Sequence, residues 1–135
     1  MSSTYRSLDV WQEGMRLVEQ CYAATRAFPH EELFGLTSQL RRAAVSIPSN
    51  VAEGACRNSD RAFCNHVAIA LGSHGELETC LEIGRRLGYV SDSVAEALEG
   101  VCSTTGRLLN GLHRSLRRKI KQRRRPRTEP RTINR

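Results

Sequence analysis

The sequence predicts an all-α fold, an antiparallel up-down-up-down four-helix bundle with a disordered basic C-terminal tail. Three observations predict it. Leu, Ala, Glu and Arg are plentiful, aromatic residues make up 5% of the 135 residues, and two of the four prolines fall in the last ten positions. Apolar residues recur at helical spacing through four separate segments. The connections between those segments are short, which makes consecutive helices antiparallel neighbours. One domain over residues 1–116 and a basic tail over 117–135 account for the chain.

Helix 1 is expected from about Leu8 to Ala27, with Ser7 as N-cap and Phe28-Pro29 as the stop. Leu8, Trp11, Met15, Val18 and Tyr22 form one apolar stripe. Val10, Leu17, Cys21, Ala24 and Phe28 form a second on another side. A helix in a lone small bundle needs one such stripe, so the other asks for a further partner.

Helix 2 is read from GLTSQLRRAAVSIPSNVAEG, Gly35 to Gly54, and ends near Cys56. Leu36, Leu40, Ala43, Ala44, Ile47, Val51 and Gly54 share one face, a seam that predicts burial. Pro48 removes a backbone donor, frees the carbonyl of Ala44 and should kink the helix. The apolar phase nevertheless crosses it, because Ile47 and Val51 are four apart, so one kinked helix is expected. Beside the seam runs a polar stripe, Gln39, Arg42, Ser46, Asn50 and Glu53. Arg42, Ser46, Asn50 and Glu53 are expected to satisfy one another and the freed carbonyl, and so, with Pro48, to set helix register and subunit contacts. The competing reading gives Arg41 and Arg42 a phosphate or a partner's carboxylate.

Helix 3 is expected from Ser59 as N-cap to about Leu87, with Gly88 as stop. Phe63, Val67, Ala70, Leu71, Leu77 and Leu81 form its main face, while Ile69, Gly72, Cys80 and Ile83 populate another side. Helix 4 begins after Ser91 or Ser93, and Ser93 with Glu96 matches a capping box. Its apolar stripe is Val94, Leu98, Val101, Thr105, Leu108, Leu112 and Leu116, close to a heptad pattern. With a single apolar face, helix 4 is expected outermost, grading directly into the tail, where Pro126 and Pro130 end helical continuation.

The net charge of +7 is unevenly placed. Residues 117–135 hold ten Lys or Arg and one acid, which leaves 11 basic and 13 acidic residues of the chain's 21 and 14 for positions 1–116. All of the positive excess therefore belongs to the tail. Five scattered cysteines without a CxxC pair suit reduced small hydrophobes, in keeping with a cytoplasmic protein; no targeting signal or membrane-spanning run is visible.

Catalytic chemistry is thin. His74 and Glu78 lie four apart on helix 3, a pair that can orient an imidazole for acid-base work, but no nucleophile is placed beside them and a structural hydrogen bond is the expected role. Cys64 and His66 diverge on a helix, a Glu-x-x-His pair is missing, and there is no glycine-rich phosphate loop, so neither metal nor cofactor is expected. Binding is better supported. Arg117, Arg118, Lys119, Lys121, Arg123, Arg124, Arg125, Arg127 and Arg131 would draw a polyanion by counterion release, with Arg41 and Arg42 as secondary contributors. No Phe, Tyr or Trp follows Tyr89, so base stacking is absent from the tail and little sequence selectivity is expected.

The helix 2 motif, preceded by LDVWQEGMRLVEQCY and FPHEELF and followed by ALGSHGELETCLEIGRRLGYV, resembles the bacterial four-helix bundle family encoded in 23S rRNA intervening sequences, over about residues 5 to 116. A relative of that family is the accessory variability determinant protein of diversity-generating retroelements, which works with a reverse transcriptase. The resemblance implies an up-down bundle that assembles as a homopentamer, a barrel whose basic surface can bind nucleic acid; it implies no enzymatic activity. His74 and Gly75 depart from the larger or helix-favouring apolar residues usual there, and the basic tail exceeds the usual C-terminus. The expectation is a non-enzymatic, ring-forming bundle that binds RNA or DNA, with a reverse transcriptase as candidate partner; a protein-interaction scaffold is the alternative.

Overall fold

A computed structural model describes residues 4–124. Four α-helices, α1 (Asp9–Thr25), α2 (Leu36–Ala55), α3 (Asp60–Arg86) and α4 (Asp92–Arg124), are joined by short links, and no strand occurs among the described residues. Each helix packs on two neighbours, in the cyclic order α1, α2, α3, α4, and the diagonal pairs make no Cα approach within 8 Å. Neighbours run antiparallel. Thr25 and Gly14 of α1 meet Arg41 and Pro48 of α2; Ser46 and Asn50 of α2 meet Ser73 and His66 of α3. Along α3 and α4 the pairs are His74 with Cys102 and Arg85 with Glu99.

The seam expected of α2 is the middle of the core. Leu40, Ala44, Ile47 and Val51 are wholly buried, against Leu17 and Cys21 of α1, Val67 and Leu77 of α3, and Leu98 and Leu109 of α4 in one continuous cluster. Burial of each such leucine, isoleucine or valine stabilises the fold by roughly 2 kcal/mol. Pro48 stands inside an unbroken helix and is itself buried, its ring carbons 3.4 and 3.5 Å from where a Cβ on Gly14 would sit. The missing side chain at Gly14 lets α1 close on the proline.

Helix ends follow the local hydrogen-bond chemistry. Ser59 caps α3, its Oγ accepting from the amide of Ala62 at 3.1 Å. At the other end Gly88 adopts φ +77, Tyr89 N–H bonds to the Gly84 carbonyl and Gly88 N–H to that of Arg85, the paired bonds of a Schellman stop. Ser7 does not cap α1. Its hydroxyl is spent on the Thr4 carbonyl in a 3-10 turn, Tyr5–Ser7, so Leu8 takes the cap position without a side-chain bond and the helix stops at Thr25. Helix α4 is capped by Ser91, which accepts from the Val94 amide at 3.3 Å, whereas Ser93 is already helical. Helix α2 lacks a side-chain cap at Gly35, and Glu32 Oε1 accepts from Leu36 N–H instead. The other oxygen of Glu32 accepts from Tyr89, tying the first link to the third and raising the phenol above its ordinary range.

Three expectations are corrected by the packing. On α1 the buried residues are Val10, Gly14, Leu17, Cys21 and Thr25, so the stripe that faces the core is the second one, for which the sequence asks a further partner; Met15 and Tyr22, of the other stripe, are exposed. On α4 the buried line is Ala95, Leu98, Cys102, Thr105, Gly106, Leu109 and Leu116, while Val94 is exposed and Val101, Leu108 and Leu112 are half-buried. The heptad spacing holds, but the face is turned because small residues fill the contact with α3. Helix α4 also runs past Leu116: residues 117–124, read as the start of a disordered tail, continue the helix to Arg124. At 33 residues it is about 50 Å long.

Candidate nucleic-acid interface

From Gly100 to Arg124 the chain carries eight Lys or Arg and no acid. At about 100° per residue, Arg107, Arg114, Arg117, Arg118, Lys121 and Arg124 fall within about a third of the helix circumference, opposite the line through Thr105, Leu109 and Leu116. All six are exposed. The arrangement is a consequence of amphipathic spacing: once Leu109, Leu116 and the half-buried Ile120 turn inward, these cations point to solvent, Arg107 also donating to Thr104 Oγ1 at 3.3 Å.

Arg123 is the exception. It points toward α3, where its Nη1 lies 2.9 Å from Asp60 Oδ2. The approach lacks hydrogen-bond alignment, leaving Oδ2 without a donor, so the contact is Coulombic. It is the one ion pair made by the basic segment among the described residues, and it holds the last turn of α4 against the first turn of α3. Lys119 is exposed on a flank. Arg125, Arg127 and Arg131 lie outside the described residues.

Arg41 and Arg42 are not brought to this end. Arg41 Nε donates to Thr25 Oγ1 at 2.8 Å and its guanidinium sits 4.5 Å from the Tyr22 ring centroid, so it serves the α1–α2 contact. Arg42 is exposed and borders an open groove with Ser38, Gln39, Ser73 and Glu76, near Phe34, which is 94% exposed. The polar stripe of α2 does form a network, though without Arg42. Asn50 Nδ2 donates to the carbonyl and hydroxyl of Ser46, Ser46 shares a 2.8 Å bond with Ser73, and Asn50 Oδ1 accepts from His66 Nδ1. Glu53 pairs with Arg57 and lies 3.9 Å from His66. Ser73 and His66 of α3 were invisible partners, since no periodicity within one helix reports what the next helix supplies.

Charge is segregated along the bundle. The end with the C-terminal turns of α4 is basic, whereas Glu31, Glu32, Asp92, Glu96 and Glu99 gather at the opposite end, where Arg85 binds Asp92 and Glu99 at 3.5 and 3.1 Å. Those carboxylates raise the Arg85 guanidinium further still.

The His74 cluster is a tie between helices. Nε2 donates to the Cys102 carbonyl at 2.7 Å, Nδ1 lies 3.3 Å from Glu78 Oε1, and the ring covers Gly106, where an added Cβ would stand 2.8 Å from Cε1. Cys21 and Cys102 are buried thiols whose pKa values are pushed up to about 12, by burial first and then, for Cys21, by Cys102 and, for Cys102, by Glu78 and Glu99. A raised folded-state pKa stabilises the fold fully below the ordinary 9.0 and loses that contribution as pH climbs toward 12, because the unfolded chain ionises first. Stability in urea is therefore expected to fall between about pH 9 and 11, and to fall less in a Cys21→Ala/Cys102→Ala protein. With an aromatic disulfide reagent at about pH 8, the native chain should yield one fast thiol, the exposed Cys56, and the other four on unfolding. Among the described residues no three of His, Cys, Asp and Glu gather as a metal site requires.

These features define a class, a four-helix bundle with one long helix that carries a basic outer face. Within that class the chain belongs to the 23S rRNA-intervening sequence protein family, which residues 6–111 match. Among solved structures it is similar to a protein of unknown function from the S23 ribosomal protein family of Bacteroides thetaiotaomicron VPI-5482, with a TM-score of 0.72 and 23% identity over 77% of this chain and 97% of that one. At that identity the likeness shows the fold. Among curated proteins none matches the sequence.

Proposed function

We propose that the protein is a non-enzymatic, homo-oligomeric bundle, a pentameric ring, that binds RNA or DNA through its basic residues and serves as accessory to a reverse transcriptase of a diversity-generating retroelement. The observation that carries the nucleic-acid reading is the exposed cation face of α4, continuous with the folded bundle and without acidic residues after Glu99 in the helix. Oligomerisation is supported by apolar side chains left in solvent on several sides, Phe34, Ile69, Ile83 and Leu87 among them. Five copies on one ring would convert weak phosphate contacts into avidity.

Truncation after Leu116 tests the binding. Labelled RNA should bind the full chain with a steep salt dependence and lose at least about 100-fold in affinity on truncation at low salt. Equal binding by both proteins across a salt titration removes the reading and leaves the alternative, a protein-interaction scaffold, which the exposed Phe34 favours. Native mass measurement tests the ring, and a monomer at micromolar concentration contradicts it.

A further inference from the structure

We infer that the ligand of the α4 cation face is the backbone of a duplex, in preference to a single strand. The inference rests on the nucleic-acid reading above and adds which form of nucleic acid the site takes and which part of the basic segment takes it.

Two observations carry it. First, the site is mainly electrostatic: its cations border the half-buried Ile120 and His113 but no Phe, Tyr or Trp of α4. Single-strand sites gain much of their affinity from bases stacked on aromatic rings, about 1–3 kcal/mol per base. The last Phe, Tyr or Trp of the chain is Tyr89, and its ring is occupied, packed at 5.4 Å on Phe28 with its hydroxyl on Glu32, at the end of the bundle remote from the cations; the one imidazole on the cation-bearing stretch of α4, His113, is half-buried. A site that offers mainly point charges favours the polyanion with the higher charge density. Each phosphate neutralised releases about 0.9 counterion from a duplex and about 0.7 from a single strand.

Second, the cations are fixed in a line. Arg107, Arg114, Arg117, Arg118, Lys121 and Arg124 project from one side of a continuous helix, over about 26 Å of its length at 1.5 Å per residue. The Arg123–Asp60 contact and the burial of Leu116 hold that helix to the bundle up to its last described turn. A stiff linear array meets a stiff linear array of phosphates without ordering it. A flexible strand would have to be straightened along the helix, at an entropic cost that no stacking contact offsets. Base edges are not addressed, so sequence should matter little.

The test compares a duplex DNA, a duplex RNA and a single strand, each of about 20 base pairs or nucleotides, by fluorescence anisotropy on the full chain. For six phosphate contacts the slope of log affinity against log salt should be about −5 on duplexes and about −4 on the single strand, with duplexes bound at least about 10-fold more tightly at 50 mM salt. An Arg114→Gln/Arg117→Gln/Lys121→Gln protein, changed only at exposed positions, should keep its circular dichroism and lessen the duplex slope by about 3. A chain ending at Arg124 should retain the duplex preference. Single strands bound as tightly as duplexes, or a preference lost with residues 125–135, would overturn the inference while leaving nucleic-acid binding intact. No binding of any probe at 50 mM salt overturns both.

Discussion

Replacing Leu109 by alanine should lower the stability by about 3 kcal/mol, whereas the same change at Leu108 should cost about 1 kcal/mol or less. Leu109 is 0% exposed in the central cluster, and truncating it removes both the transfer free energy of its side chain and the contacts around the cavity left behind. Leu108 is half-buried on the flank, where solvent fills the vacated space. In thermal unfolding the Leu109 variant should melt roughly 10–15 °C lower. The sequence alone ranks these two residues the other way, because Leu108 lies in the run Val101, Thr105, Leu108, Leu112 and Leu116. Equal or reversed losses would show that the core-facing side of α4 is not the one described.

A second large effect is expected where helices touch through a missing side chain. Gly54 lies at the close of the α2 seam, and a Cβ there would stand 2.8 Å from both His66 Cβ and Phe63 Cδ1 and 3.3 Å from Phe63 Cα. None of these atoms is the free end of a flexible chain, so Gly54→Ala forces α2 and α3 apart and should cost about 1–3 kcal/mol despite the better helix propensity of alanine. Gly72→Ala makes the opposite case. Nothing lies within 4 Å of its Cβ position, so only the propensity gain operates and stability should rise by about 0.5–1 kcal/mol. Denaturant midpoints of the two variants, measured together, separate steric from backbone effects. A stabilised Gly54→Ala protein would mean that the two helices are less closely packed than the distances state.

Much of this fold is legible in α2. Its seam is long, in phase across Pro48, and flanked by polar residues, so helical periodicity names every seam residue that is buried and misses Thr37 and Pro48, which are buried beside it. Legibility fails where burial is decided by fit. Gly14 and Gly106 bear no side chain, yet they are buried because Pro48 and His74 need their space, and Cys102 brings only a small side chain to the core. Hydrophobicity cannot rank such positions, which explains why the faces of α1 and α4 are read with the wrong side emphasised. The candidate site divides in the same way. The cations were countable, but whether they stand on a helix depended on Leu116 and Ile120 continuing the apolar line and on Asp60 answering Arg123 from another element. The polar network of α2 was half visible, since Ser46 and Asn50 announce it while Ser73 and His66 come from α3.

The separation of charge along the bundle bears on encounter as well as on contact. A body with cations at one end and carboxylates at the other carries a permanent dipole along its long axis, and the field of a polyanion exerts a torque on it across a Debye length, about 10 Å at 0.1 M salt. If nucleic acid is the ligand, as proposed, the molecule turns before it lands. Productive orientation is then set during approach rather than by repeated collision, so the association rate should fall with added salt faster than the dissociation rate rises.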